Sequence, residues 1–347
     1  MLGSLRTVTA IAAVSTACVS LRVAPVGSVD AELMLAGTPV ARVGLEAPTA
    51  SFALDRITRR AAQLTGKVRR TGTGSGVAIY VFDGGIADHP ELAGRVRVGY
   101  DAFPGTPRVC NPHGLAVAAA AAGSTLGVAP DAEIVDVKII NCEPGHGSVD
   151  AILAAARWTA EDHRLHPEQP AVANWSFVVD TSRNVAAIDT AVAVLREAGI
   201  LVVVSAGNLD IDACRVSPAN SPGALVVGAA SLAGMRDGPK NVALHDVRTP
   251  NTAWGACVDV YAPGEDVPLP SVERGKGIIA RWTGTSMAAG YVSGAASLVL
   301  ERFQSASPDD VMRILRKRAT ANAVDEMTDT TGTLQKARKP LLYAGPG

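Results

Sequence analysis

The run "VAIYVF" (77–82) is continuously apolar, rich in β-branched and aromatic residues, and ends on Asp83-Gly84-Gly85. A strand that is apolar on both sides is buried on both faces, as in a parallel sheet; one face open to water would force alternation. Five further runs read the same way: "EIVDVKII" (133–140), "AVANWSF" (171–177), "ILVVVSA" (200–206), "ALVVGAA" (224–230) and "CVDVYAPG" (257–264). Among and after them, "HGLAVAAAAAG" (113–123), "SVDAILAAARWTAEDHR" (148–164), "NVAAIDTAVAVLREAG" (184–199), "SMAAGYVSGAASLVLERF" (286–303) and "SPDDVMRILRKRAT" (307–320) carry helical periodicity. The last opens on Ser307-Pro308-Asp309-Asp310, a strong helix start. Strands alternating with helices give right-handed crossovers. The expected fold is α/β, a doubly wound, mostly parallel sheet between two layers of helices.

The 347 residues carry a net charge of −1, from 32 basic and 33 acidic side chains with no basic block, which argues against a nucleic-acid partner. The N-terminus, "MLGSLRTVTAIAAVSTACVSLRVAPVG" (1–27), has Arg6 near its start, a short mostly apolar stretch and then small residues, the pattern of a secretory signal. The reading is a signal peptide over 1–22 and a short pro-segment or linker over 23–49, followed by one domain, which the resemblance described below extends over 50–345. A lipid anchor at Cys18 is disfavoured by Ser15, and no segment reads as a membrane span. If Cys18 leaves with the signal, Cys110, Cys142, Cys214 and Cys257 remain, an even number that an oxidising, extracellular compartment would pair. Their wide spacing and the absence of CxxC argue against zinc.

In an open α/β sheet, functional groups sit beyond the carboxyl ends of the strands. Asp83 follows one strand, Asn208 follows "ILVVVSAG", and Ser286 opens a helix in "RWTGTSMAAG" (281–290). Alone, the last stretch reads as the polar start of a buried helix. A serine nucleophile needs a base in reach, a carboxylate to orient that base, and donors for the oxyanion. Asp83, His113, Asn208 and Ser286 supply those groups. An α/β-hydrolase would run Ser, acid, His, but no histidine follows Ser286; the Gly-Asp-Ser-Gly of the chymotrypsin order is absent. Asp, His, Ser is the order that remains.

From "ALDRITRR" (53–60) through "VAIYVFDGGIADHPELAGRV", "HGLAVAAAAAG", "VKIINCEPGHGSVDAI", "SAGN", "CRVSPANSPGALVVGA", "ACVDVYAPG" and "GTSMAAGYVSG" to "LLYAG" (341–345), the chain resembles subtilisin-type serine proteases of the proteinase K branch. The resemblance implies a monomeric endopeptidase acting on proteins or peptides through an acyl-enzyme. Asp83 would orient the imidazole, His113 would act as base and then acid, Ser286 would attack, and Asn208 would donate to the oxyanion. It also implies that "PGHGS" (144–148, with Gly145, His146 and Gly147) and "WSFVV" (175–179, with Ser176, Phe177 and Val178) flank a bound peptide as extended segments. Ser205, Ala206 and Gly207 would complete the pocket. Cys110–Cys142 and Cys214–Cys257 bridges are implied too. So is a structural Ca²⁺ held by the carbonyls of Pro222 and Ala224 and the carboxylate of Asp259, oxygen donors that suit this ion.

The sequence departs from the family pattern at Gly84, where Thr or Ser is usual, at Leu115-Ala116, at Ala289-Gly290-Tyr291, and at Phe177-Val178-Val179, where relatives have Leu-Gly-Gly. Valines at the pocket wall predict a preference for small side chains before the cleaved bond. The altered surroundings and a leader too short for the family's usual folding domain also raise an alternative: a silent subtilisin-fold protein that binds peptides or partners. His163 and His166 read as helix-end or solvated residues, and "NWS" (174–176) as a sequon buried in a strand.

Overall fold

The computed structural model describes residues 46–143, 145–179, 185–233, 244–329 and 334–346. The proposed signal, Cys18 and most of the 23–49 segment therefore lie outside the described residues, as does Pro144. Six strands match the apolar runs: β3 (Ala78–Asp83), β5 (Glu133–Lys138), β6 (Ala171–Trp175), β7 (Leu201–Ser205), β8 (Leu225–Ala233) and β10 (Val260–Pro263). With β4 (Val96–Asp101) at the edge, they pair in parallel in the order β4-β5-β3-β6-β7-β8-β10. β3 is buried at every position, as a strand covered on both faces must be.

The two faces are covered differently. α2 (His113–Ala122), α5 (Thr285–Arg302) and α6 (Pro308–Arg318) share one apolar cluster with Val77, Ile79 and Val81. α3 (Val149–Arg164) and α4 (Val185–Glu197) share the other with Tyr80, Phe82 and Trp175. Three layers result, each interior Val, Leu or Ile contributing about 1.5–3 kcal/mol by burial. α6 starts with the capping box that Ser307 and Asp310 announce in the sequence.

Elements beyond the apolar runs are those with polar or proline-broken patterns. α1 (Phe52–Ile57) is N-capped by Ser51, and β1 (Glu46–Pro48) pairs with β2 (Lys67–Arg69). β9 (His245–Arg248) lies antiparallel on β8. The hairpin β11 (Val267–Glu273) and β12 (Lys276–Trp282) carries Pro268 and Pro270, which a two-stranded ribbon tolerates because one strand edge is unpaired. β13 (Thr320–Asp329) and β14 (Leu334–Leu341) form a polar antiparallel hairpin, with β14 parallel to β10 and β13 parallel to β9. No described helix is long and apolar enough to cross a membrane.

α2 and α5 approach closely because their contact faces carry small residues. A Cβ on Gly290 would come within 2.7 Å of the Val117 carbonyl oxygen, and one on Gly294 within 2.5 Å of the Ala121 carbonyl oxygen. This contact brings together the N-terminal ends of both helices, where His113 and Ser286 sit.

Candidate active site

Asp83 is the last residue of β3, the strand about which the chain winds in both directions. Its Oδ1 accepts the Gly84 N–H at 2.7 Å, and its Oδ2 lies 2.7 Å from His113 Nδ1. A carboxylate only accepts, so His113 carries its proton on Nδ1 and leaves Nε2 as the free base. His113 opens α2, where Pro112 supplies no side-chain cap and Asn111 Oδ1 takes the His113 N–H instead. Burial opposes a charge on the imidazole, but the Asp83 carboxylate and its hydrogen bond more than offset that, and the pKa of His113 is raised. Trp282 lies edge-on to the imidazole, with ring centroids 6.3 Å apart.

Ser286 is the second residue of α5, and it does not cap the helix. That task falls to Asn208, whose Oδ1 accepts from both the Thr285 N–H and the Thr285 hydroxyl at 3.0 Å. Using Oδ1 in this way turns the amide Nδ2 toward the helix start, 3.3 Å from where a Cβ on Gly284 would stand. The N–H of Ser286 lies in the first turn, where backbone donors lack intrahelical acceptors and the helix dipole favours negative charge. The Ser286 hydroxyl donates to the Ser176 carbonyl at 3.3 Å, not to His113. Two donors and one hydroxyl thus stand at the start of α5, and one oriented imidazole at the start of α2, the helix packed against it.

A polar chain beneath the serine escapes the sequence reading. The Ser293 hydroxyl donates to Asn174 Oδ1 at 2.9 Å, Asn174 Nδ2 donates to Ser176 Oγ at 2.8 Å, and Ser176 Oγ donates to the Ser286 carbonyl at 3.2 Å. The visible signal was a buried asparagine inside an apolar strand, in "NWS". Asn174 is fully buried, with its amide engaged, so the sequon is inaccessible.

The expected pocket residues come together in part. The Ser205 hydroxyl reaches the Phe177 carbonyl at 3.5 Å, while the Phe177 ring stacks on Trp175. A Cβ on Gly207 would lie 3.2 Å from Val178 Cγ1, so the Val178 side chain bridges the segments 176–179 and 205–207. Ala206 is fully buried, its N–H bonded to the Val227 carbonyl at 2.9 Å. The stretch 144–148 differs from the expected extended strand. Gly145 N–H bonds back to the Asn141 carbonyl at 2.9 Å, and Asn141 N–H bonds to the His146 carbonyl at 3.2 Å, so Gly145 sits in a turn and only His146 to Ser148 run on from it. Gly147 packs against the Ile139 carbonyl, and His146 is exposed. His166 Nδ1 lies 2.7 Å from the Asp162 carbonyl at the end of α3, a helix-end role.

Both implied disulfides are present, Cys110–Cys142 and Cys214–Cys257. The implied calcium trio does not fit the ion. Arg316 Nη2 pairs with Asp259 Oδ1 at 2.7 Å, and Asp259 Oδ2 accepts the Val226 N–H at 2.8 Å. Arg196 Nη1 donates to the Gly223 carbonyl, between Pro222 and Ala224, at 2.9 Å. Two guanidiniums already serve this corner: Arg316 takes up the carboxylate of the implied trio, and Arg196 also pairs with Asp309 at 2.8 Å. Among the described residues no cluster of three His, Cys, Asp or Glu could hold a metal.

The chain is 37% identical over 278 residues to the extracellular serine proteinase of Thermus sp. (strain Rt41A), covering 79% of this chain and 63% of that protein. It is 32% identical over 319 residues to the alkaline serine exoprotease A of Vibrio alginolyticus, covering 91% of this chain and 54% of that protein. The chain thus spans between about half and two thirds of the length of these relatives. A crystal structure of a cold adapted subtilisin-like serine proteinase superposes with a TM-score of 0.70 at 30% identity, over 85% of this chain and 98% of that one. Residues 74–333 match the subtilase family as a whole, and the chain belongs to that family.

Proposed function

We propose that the protein is a secreted serine endopeptidase, a single domain over about residues 50–345, working as a monomer on protein or peptide substrates. The observation that carries this reading is the 2.7 Å contact of His113 Nδ1 with Asp83 Oδ2, at the same sheet edge as a serine relieved of capping by Asn208. Rotation about χ1 of Ser286 would exchange the Ser176 carbonyl for His113 Nε2, a staggered-rotamer change that a bound substrate can drive. His113 then takes the hydroxyl proton as Oγ attacks the scissile carbonyl, and Asp83 holds the imidazolium that forms. The developing oxyanion is met by Asn208 Nδ2 and the Ser286 N–H. His113 returns the proton to the leaving amine, and water repeats the sequence on the acyl-enzyme.

Extracellular relatives and two disulfides support secretion. The bridge of Val179 N–H to the Ser217 carbonyl at 2.9 Å supports an extended 176–179 segment that could pair with substrate backbone on its other edge. No step is assigned to calcium. The silent-fold alternative predicts peptide binding without hydrolysis. Incubation with fluorescein-labelled casein decides between them: release of fragments by the wild type but not by Ser286→Ala supports the enzyme, and binding without release supports the alternative.

A further inference from the structure

A buried charge lies beside the site and takes no part in the mechanism. Asp136, in the middle of β5, is 1% exposed, and one of its carboxylate oxygens, Oδ1, has no hydrogen-bond partner. The other, Oδ2, accepts the Ile86 N–H at 3.1 Å and the Nη2 of Arg108. Ile86 lies three residues after Asp83, and Arg108 lies five before His113. The same two segments touch again nearby. The Cys110 N–H bonds to the Gly84 carbonyl at 2.8 Å, and a Cβ on Gly85 would lie 2.0 Å from the Arg108 carbonyl oxygen. Gly84 offers Asp83 only its N–H, with no hydroxyl to fix the carboxylate further.

We propose that Asp136 and Arg108 are positioning residues for the proteolytic triad, an ion pair that locks the loop after Asp83 onto the loop before His113. The inference rests on the reading of Asp83 and His113 as catalytic. The groups facing Asp136 are Arg108 from the loop after β4, Asp101 on β4, Asp83 at the end of β3, and Lys138 farther along β5, which is itself paired with Asp101 at 3.3 Å. Burial pushes the Asp136 carboxyl up to about 6, against the pull of Arg108 and the Ile86 N–H, and Asp83 and Asp101 push the same way as burial. Above about pH 6 the carboxylate is charged and the lock is closed. Below it, Asp136 takes up a proton, Arg108 keeps only the longer 3.9 Å pairing with Asp101, and the guanidinium, whose side chain is already 32% exposed, can turn toward solvent. The acid limb of activity therefore contains two groups, His113 and Asp136.

The test is the pH dependence of kcat and KM on a peptide p-nitroanilide for wild type, Asp136→Asn and Arg108→Lys, with Tm measured alongside. Asp136→Asn keeps an acceptor for Ile86 and removes the charge. It should lower kcat at pH 8 by about tenfold or more, since a small misplacement of catalytic groups is costly, with KM within about twofold. In the wild type the slope of log kcat/KM against pH should steepen from one toward two below about pH 6; in Asp136→Asn it should stay at one. Arg108→Lys should retain more activity than Asp136→Asn. Wild-type kcat with an unchanged limb in folded Asp136→Asn, whatever its Tm, would overturn the proposal. A readout independent of turnover is the NMR resonance of the His113 Nδ1 proton, which should shift or broaden in Asp136→Asn. If the wild type proves inactive, it is the protease reading that fails; an unmoved Nδ1 resonance in Asp136→Asn is what defeats the lock.

Discussion

The backbone of Gly290 on α5 lies so near Val117 on α2 that a Cβ added there would stand 2.7 Å from the Val117 carbonyl oxygen. Since His113 and Ser286 lead these two helices, the spacing of base and nucleophile depends on that contact. Gly290→Ala should separate the helices, costing about 1–3 kcal/mol by overpacking, seen as a lower Tm. It should also lower kcat more than it raises KM. A lower Tm with unaltered kcat would mean that the helix ends are positioned by something else.

Asn208 has two tasks that substitutions can separate. Asn208→Asp keeps an oxygen for the Thr285 N–H, so the start of α5 should remain capped, but it replaces the oxyanion donor with a charge of the wrong sign. Asn208→Ala loses both tasks. Both variants should lose kcat by at least about 10²–10³, a magnitude borrowed from removal of one oxyanion donor in subtilisin itself. Only Asn208→Ala should also lose the roughly 1 kcal/mol typical of a helix cap. Turnover retained in Asn208→Asp would show that Nδ2 is not the donor.

The pairing of Arg316 with Asp259, and of Arg196 with the Gly223 carbonyl, leads to a prediction on metal removal. Thermal unfolding should give the same Tm in EDTA as in millimolar Ca²⁺, as far as this corner is concerned, because its carboxylate is already neutralised. Arg316→Gln should make Tm rise on adding Ca²⁺, by freeing Asp259. A wild-type Tm that falls in EDTA and does so less in Asp259→Asn would place the ion at this corner after all.

How far the sequence could be read follows from which residues carry the pattern. The runs at 77–82 and 200–206 announce β3 and β7 because a strand buried on both faces needs no alternation, and Ser307 with Asp310 announces α6 through its cap. β11 was hidden by Pro268 and Pro270, which argue against a strand unless its edge is free, and β4 by the polar alternation of "VRVGYD". At the site, Asp83, His113, Asn208 and Ser286 were legible from order and flanking motifs. The tie between Ile86 and Arg108 through Asp136, and the chain Ser293–Asn174–Ser176, were not, because they join residues distant in sequence. Their one trace is a polar residue inside an apolar strand. The resemblance implies calcium at Pro222, Ala224 and Asp259, and the pairing of Asp259 with Arg316, 57 residues further on, leaves no trace in those motifs.

Val178 bridges the walls formed by 176–179 and 205–207, where a wider slot would admit an aromatic ring. Displacing a packed isopropyl group costs about 1–3 kcal/mol, a penalty of roughly tenfold to a hundredfold in kcat/KM. Cleavage should therefore favour Ala or Val over Phe or Tyr before the scissile bond, and Val178→Gly should broaden it toward aromatics. A peptide-library profile in which the wild type prefers Phe or Tyr would show that the Val178 side chain yields or lies outside the pocket.

The central claim is that Ser286 is a nucleophile activated by His113, and covalent labelling with a fluorophosphonate across a pH series tests it most directly. Asp83 favours the charged imidazole, so the pair's stabilisation is present below the ordinary histidine pKa of about 6.5 and fades as pH rises through the raised value in the fold. Deprotonation frees Nε2 only above that raised value. Labelling should therefore map to Ser286, rise with pH with a midpoint above 6.5, and vanish in Ser286→Ala. No adduct at any pH, or an adduct that persists in Ser286→Ala, would contradict the account.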